Sequence, residues 1–115
     1  MSDDCLFCRI LAGEVPSTEV LSTDSVYAFR DVAPTAPTHV LVIPRRHIED
    51  AAAIQPDDAG LLAELIVAAQ RIAAQEGVAD SGYRLVLNCQ ERAGQTVPHL
   101  HLHLLGGRDF GWPPG

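Results

Sequence analysis

The stretch 98–107, PHLHLHLLGG, spaces three of the chain's five histidines at two-residue intervals and sets a leucine after each. Successive side chains of an extended strand point to opposite faces. This spacing therefore puts His99, His101 and His103 on one side and Leu100, Leu102 and Leu104 on the other. A helix would scatter the same imidazoles over about 200° and mix them with the leucines. The reading is a strand with an apolar face to bury and an imidazole face to use. Imidazole changes charge more easily near neutral pH than any other side chain, and it can ligate metal or attack an electrophile. A single histidine here could serve only as a hydrogen-bonding group, but three on one face mark a candidate site.

The surrounding sequence supplies a sheet and a cover for that strand. CLFCRILAGEVP (residues 5–16) reads as a short helix stopped near Gly13 and closed by Pro16. TEVLSTDSVYAFRD (18–31) is two β-rich runs about Asp24-Ser25, a hairpin pattern. VAPTAPT is a proline-punctuated loop before HVLVIP, a strand ended by Pro44, and HIEDAAAI suggests a short helix. The longest regular element is PDDAGLLAELIVAAQRIAAQEG (56–77), with Pro56 and two aspartates at its start and Gly77 at its stop. Leu61, Leu65, Ala69 and Ile72, flanked by Leu62, Ile66 and Ala73, form its expected buried stripe. DSGYRLVLNC is a turn and a strand, and QERAGQT loops into the histidine strand, which pairs only after Pro98. The expected fold class is α+β, a mainly antiparallel sheet with one long helix packed on one face. The leucines of the last strand then meet that helix and the imidazoles face away from it.

Composition excludes several functions. At 115 residues the chain supports one core, so a single domain over residues 1–115 is expected. Hydrophobic residues make up 47% of the chain, which excludes disorder, and aromatics at 5% argue against the stacking platforms of single-strand binders. The net charge is −7 and Arg45-Arg46 is the only adjacent basic pair, so no nucleic-acid partner is expected. No apolar run reaches the roughly 18 residues of a membrane span, and no leader opens the chain. With an odd count of three cysteines there is no disulfide framework, and a cytoplasmic address is the simplest reading.

HLHLHLL, with GQT before it and GGRDFGWPPG after it, resembles the histidine triad superfamily. The closing GGR…WPPG is similar to its histidine triad nucleotide-binding branch, the purine nucleoside phosphoramidases. CRILAGEVPS, AFRDVAPTAPTHVLVIPRRHI and GYRLVLN fall in the same order, so the resemblance covers nearly the whole chain. It implies the histidine triad fold and a purine nucleotide substrate. His101 would be the nucleophile at the α-phosphorus, working by double displacement through a nucleotidyl-histidine. His103 and His39 would complete the imidazole cluster. Asn88, the backbone of Gly94 and Gln95, and the Thr96 hydroxyl would bind phosphate oxygens, donors preset around developing charge. Close relatives carry serine where this chain has Thr96, and the hydroxyl survives. The nucleoside pocket would be Leu6, Phe7, Ile10, Phe29, Val32 and Leu41, with Asp31 accepting from the ribose hydroxyls. Phe29, Val32 and Leu41 fit plain core equally well, and Asp31 could be only a turn-former.

No cofactor is needed for that chemistry, but a structural Zn²⁺ is implied. Cys5-x-x-Cys8 offers two thiolates on one helical turn, and His47 and His99 are the histidines outside the catalytic set. Two sulfurs and two imidazoles make a closed tetrahedral zinc site, and some bacterial members of the superfamily have this arrangement. Buried, inert cysteines are the alternative, with His99 then returned to the phosphate. Cys89 reads as a small core residue. The resemblance further implies a homodimer whose C-termini, here carrying Trp112, reach the partner's active site. Competing functions are hydrolysis of dinucleoside polyphosphates, against which the WPPG end speaks, and a nucleotide-binding interaction module with incidental turnover. A zinc-stabilised adaptor would need only the cysteines.

Overall fold

The two β-rich runs about Asp24-Ser25 form the expected hairpin in the structure, a computed structural model that describes residues 4–115. Its strands are β1 (Glu19–Ser22) and β2 (Val26–Arg30), and β3 (Thr38–Pro44), β4 (Tyr83–Val86) and β5 (Leu102–Gly106) complete the sheet. The order is β1-β2-β3-β5-β4 and every neighbouring pair is antiparallel. β3 is buried along its whole length, as the unbroken apolar run VLVI requires of a central strand covered on both faces. A short helix α1 (Leu6–Leu11) ends just before Gly13, whose φ of +80° suits a glycine. The long helix α2 (Ala59–Gln75) follows a 3-10 turn over Pro56–Asp58 and closes at Gly77, φ +75°.

The helices take opposite faces of the sheet. Leu65, Ala68, Ala69, Ile72 and Ala73 of α2 pack on Val26, Ala28, Val40, Val42, Leu100, Leu102 and Leu104. Phe7 and Cys8 of α1, with Cys5, pack on Phe29, Leu41 and Ile43. Alternation along β3 thus sends Val40 and Val42 to α2 and His39, Leu41 and Ile43 to α1. An Arg30–Glu76 pair with two bonds of 2.8 and 2.9 Å ties the end of β2 to the end of α2.

Three expectations change. The ladder of β5 begins only at Leu102, so His99 and His101 precede it in extended backbone. The leucine alternation nonetheless holds through Leu100, because the α2 core pulls all three leucines to one side. HIEDAAAI forms one 3-10 turn, Ala51–Ala53, capped by the Asp50 carboxylate on the Ala53 N–H, since three residues are too few to sustain an α-helix. On α2, Ile66 is exposed and Ala68 is buried in its place, so the buried stripe is rotated toward the small residues that let helix and sheet approach.

Candidate active site

Three imidazoles meet on the α1 face of the sheet. His39 Nε2 lies 3.0 Å from His103 Nδ1, and the His101 and His103 rings are 5.0 Å apart. His39 and His101 are buried and His103 is half-buried. Backbone partners assign their tautomers, because an amide N–H can only donate and a carbonyl can only accept. The Thr35 N–H donates to His39 Nδ1 at 3.1 Å, so His39 carries its proton on Nε2 and donates it to His103 Nδ1. The His103 proton is then on Nε2. His101 donates its Nδ1–H to the His99 carbonyl at 2.7 Å, which leaves Nε2 as the free lone pair of that ring.

Burial works against a charge on this cluster. It lowers the pKa of His39, opposed by the nearby Asp31 carboxylate. His103 is pushed down to about 4, first by burial and then by the neighbouring imidazoles of His101 and His39. Both rings are neutral at pH 7, as the donor chain through them requires.

A cleft of about 380 Å³ opens beside His101 and His103. All the expected pocket residues line it: Leu6, Phe7, Ile10, Phe29, Asp31, Val32 and Leu41, with Thr96. Val15, Pro16 and Val97 line it as well, and no sequence signal marked them. Phe29 and Leu41 are buried and serve as wall and core together, whereas Val32 is almost fully exposed and its plain-core reading fails, because it follows the end of β2. Asp31 forms a turn and also faces the imidazole cluster. One oxygen accepts from the Ala33 N–H at 2.8 Å and forms a turn, while the other sits 3.3 Å from His39 Nε2.

The loop between β4 and β5 differs in detail from its sequence reading. β4 ends at Val86, so Asn88 stands in the loop and not on the strand. A Cβ on Gly94 (φ +96°) would be 3.9 Å from the Asn88 Nδ2, which brings these two residues together. The Gly94 and Gln95 N–H groups, expected to face phosphate, bond within the loop to the Glu91 and Gln90 carbonyls. Sequence reasoning missed the Gln95 side chain. Its Oε1 accepts from the Gln90 N–H at 2.7 Å and its Nε2 donates to the Glu49 and Val97 carbonyls, clamping three segments around the loop. Trp112 is 84% exposed and stands outside the lining of this cleft.

A second cluster joins Cys5 and Cys8 of the α1 turn, His47 of the turn after β3, and His99, their ligand atoms all within 4.8 Å of one another. Cys5 Sγ and Cys8 Sγ lie 3.3 and 3.6 Å from His99 Nδ1, Cys8 Sγ lies 3.4 Å from His47 Nδ1, and the two Nδ1 atoms are 3.2 Å apart. Zinc bonds of about 2.3 Å to sulfur and about 2.05 Å to nitrogen give tetrahedral edges of about 3.5 Å (S to N) and about 3.3 Å (N to N). The observed separations fit. His99 Nε2–H donates to the Pro44 carbonyl at 2.9 Å, so its Nδ1 lone pair points into the cluster, the usual outer support of a ligating histidine.

The HIT domain family matches residues 12–110 of this chain. The chain belongs to that family. An uncharacterized HIT-like protein of Synechocystis sp. is 46% identical over 115 residues, all of both chains. A purine nucleoside phosphoramidase of Escherichia coli (strain K12) is 43% identical over 111 residues, 96% of this chain and 93% of that protein. The crystal structure of a HIT family hydrolase from Legionella pneumophila Philadelphia 1 superposes with a TM-score of 0.96 at 49% identity, over 97% of this chain and 100% of that one. This HIT protein is an enzyme, a nucleotide hydrolase of the family. Among its described residues no helix is long and apolar enough to cross a membrane.

Proposed function

We propose that this HIT protein hydrolyses the phosphorus–nitrogen bond of purine nucleoside 5′-phosphoramidates, adenosine preferred, with His101 as nucleophile. One observation carries the reading: a buried imidazole with its Nδ1–H held by a backbone carbonyl offers its Nε2 lone pair at the wall of a nucleoside-sized cleft. Nε2 attacks the α-phosphorus, the amine leaves with a proton, and water then cleaves the nucleotidyl-His101 bond to release the monophosphate. His103 Nε2–H faces the phosphate as donor, and His39 holds His103 in that tautomer. Asn88 and the Thr96 hydroxyl bind phosphate oxygens, while Gly94 and Gln95 shape the loop that presents them. Leu6, Phe7, Ile10, Phe29, Val32 and Leu41 enclose the base, and Asp31 accepts from the ribose.

Cys5, Cys8, His47 and His99 hold one structural Zn²⁺, a reading supported by the tetrahedral fit of their separations. A twofold dimer is supported by the β4 sheet edge and the exposed apolar side chains of Ile66 and Leu87 that share a depression beside it. Trp112 then serves the partner's cleft. Light scattering that finds a monomer at micromolar concentration overturns the dimer. A cytoplasmic address is the companion reading, supported by an odd count of three cysteines that makes no disulfide framework, and cell fractionation checks it. The purified protein assayed against adenosine 5′-phosphoramidate, adenylyl-lysine and diadenosine polyphosphates tests the reaction. Rapid quench with phosphorus-labelled phosphoramidate is expected to trap label on His101. Label on another residue refutes the nucleophile, and preferential turnover of the polyphosphates favours the alternative branch.

A further inference from the structure

The GGR part of the closing motif has no role in the chemistry above, yet it touches the catalytic cluster through one residue. Arg108 Nε–H donates to the Thr35 carbonyl at 3.0 Å. The N–H of the same Thr35 donates to His39 Nδ1 at 3.1 Å, and His39 Nε2–H donates to His103 Nδ1 at 3.0 Å. Arg108 thus holds the peptide on one side of Thr35 while the peptide on the other side donates into the imidazole pair that ends on the proposed phosphate-facing ring.

The guanidinium is fixed well enough to do this although it is exposed. One Nη donates to the Asp109 carbonyl at 2.9 Å, and the planar face lies 4.3 Å from the Phe110 ring centroid. Arg84 covers the same ring at 5.2 Å and bonds the Gly111 carbonyl at 2.8 Å, so the aromatic platform is itself anchored. Just before Arg108, Gly107 (φ +88°) runs so close to Pro37 that an added Cβ would sit 2.8 Å from the proline Cβ. The chain therefore presses on the 31–37 loop at the point where Arg108 reaches Thr35.

We propose that Arg108 is a positioning residue, holding the Thr35 backbone so that His39 stays in the tautomer that donates to His103. The two neutral tautomers of imidazole are close in energy, so the Thr35 N–H on Nδ1, acting together with the Asp31 carboxylate 3.3 Å from Nε2, selects between them. If Thr35 turns away, His39 can place its proton on Nδ1. Its Nε2 lone pair then faces the lone pair of His103 Nδ1, and the pair loses its order. Lysine can reach the carbonyl with one donor but cannot lie flat on Phe110 with a second bond to Asp109, so it restores the contact in part.

The inference rests on the proposed phosphoramidase reading for its kinetic arm only. Arg108→Ala is expected to lower kcat on adenosine 5′-phosphoramidate about tenfold with KM changed less than about twofold, the pattern of lost orientation, not lost binding. Arg108→Lys is expected to recover most of that loss. Arg71→Gln, an exposed arginine of α2 on the opposite face of the sheet, should behave as wild type. In parallel, nitrogen NMR of His39 should report a protonated Nε2 in the wild type and a mixed tautomer in Arg108→Ala, with unchanged thermal stability. Wild-type kcat together with an unmoved His39 signal in Arg108→Ala overturns the proposal. So does a loss of activity that tracks a fall in melting temperature. A wild type inactive on the phosphoramidate refutes the functional reading instead, and the NMR comparison then decides the role of Arg108 by itself.

Discussion

Two imidazole clusters, built from alternate residues of one extended stretch, do opposite things with their lone pairs. At the Cys/His cluster, His99 spends its N–H on the Pro44 carbonyl and turns Nδ1 inward toward two sulfurs and a second imidazole. At the three-imidazole cluster, His39 spends its lone pair on the Thr35 N–H and His103 spends its own on the His39 Nε2–H, and one lone pair, on His101, is left beside an open cleft. Residue type is the same in both. The backbone group opposite each ring decides whether its lone pair points into a closed cluster or toward an open cleft. The clusters also touch. The His99 carbonyl holds His101, and the edge of Phe7 meets the His99 ring at 5.8 Å and the His101 ring at 5.1 Å. Phe7 sits between the two cysteines and lines the cleft, so the Cys/His cluster and the cleft wall share α1.

The sharpest way to break this contrast is at His101. His101→Ala should lower phosphoramidate turnover at least about a thousandfold, roughly 4 kcal/mol of transition-state stabilisation, with adenosine monophosphate binding retained. His103→Ala should lose less, because it removes orientation and a donor but not the attacking atom. If His101→Ala keeps substantial turnover, the lone-pair argument fails.

At the other cluster the expected loss is in stability. Metal analysis of protein purified without chelator should find about one zinc per chain, and Cys8→Ser or chelation should lower the melting temperature by on the order of 10 °C, since ligand free energy is folding free energy. Weaker nucleotide binding should accompany it, through Phe7. Zinc-free protein of unchanged stability would make the four residues an ordinary buried cluster.

The smallest effect is a pH slope. His103, at about 4, stays neutral in the folded chain where an unfolded imidazole titrates near 6.5, and the lowered pKa of His39 acts in the same direction. Between pH 6.5 and 4 the unfolded state therefore binds more protons, and stability falls as pH falls. Glu76, held low by its bonds to Arg30, adds to the loss in the same direction at the acid end. Melting temperatures measured across this range should slope more steeply in the wild type than in His103→Asn. Equal slopes would show that burial does not hold His103 neutral.

Much of the site was legible because its signals are periodic or local. The two-residue alternation of histidine and leucine is a property of extended backbone, and it put the leucines on the helix face before any partner strand was known. Cys5-x-x-Cys8 is one helical turn, readable at any position. The residues that escaped notice act through contacts distant in sequence. Gln95 clamps segments 46 residues apart and Val15 and Pro16 wall the cleft, yet neither role has a pattern in the chain. The Gly94 and Gln95 amides bond within their own loop and Asn88 lies beyond the strand, because hydrogen bonding within a turn depends on its dihedral angles and not on its composition.

By itself the sequence determined the fold class, the faces of the sheet and the identity of the chemically capable side chains, since period, turn residues and residue type are local quantities. Only the tertiary structure decided which imidazole faces which partner. A tautomer is chosen by the single group across from it, and His99 meets Pro44, His39 meets Thr35 and His101 meets the carbonyl of His99 only once β3 and β5 are paired and α1 is closed over them.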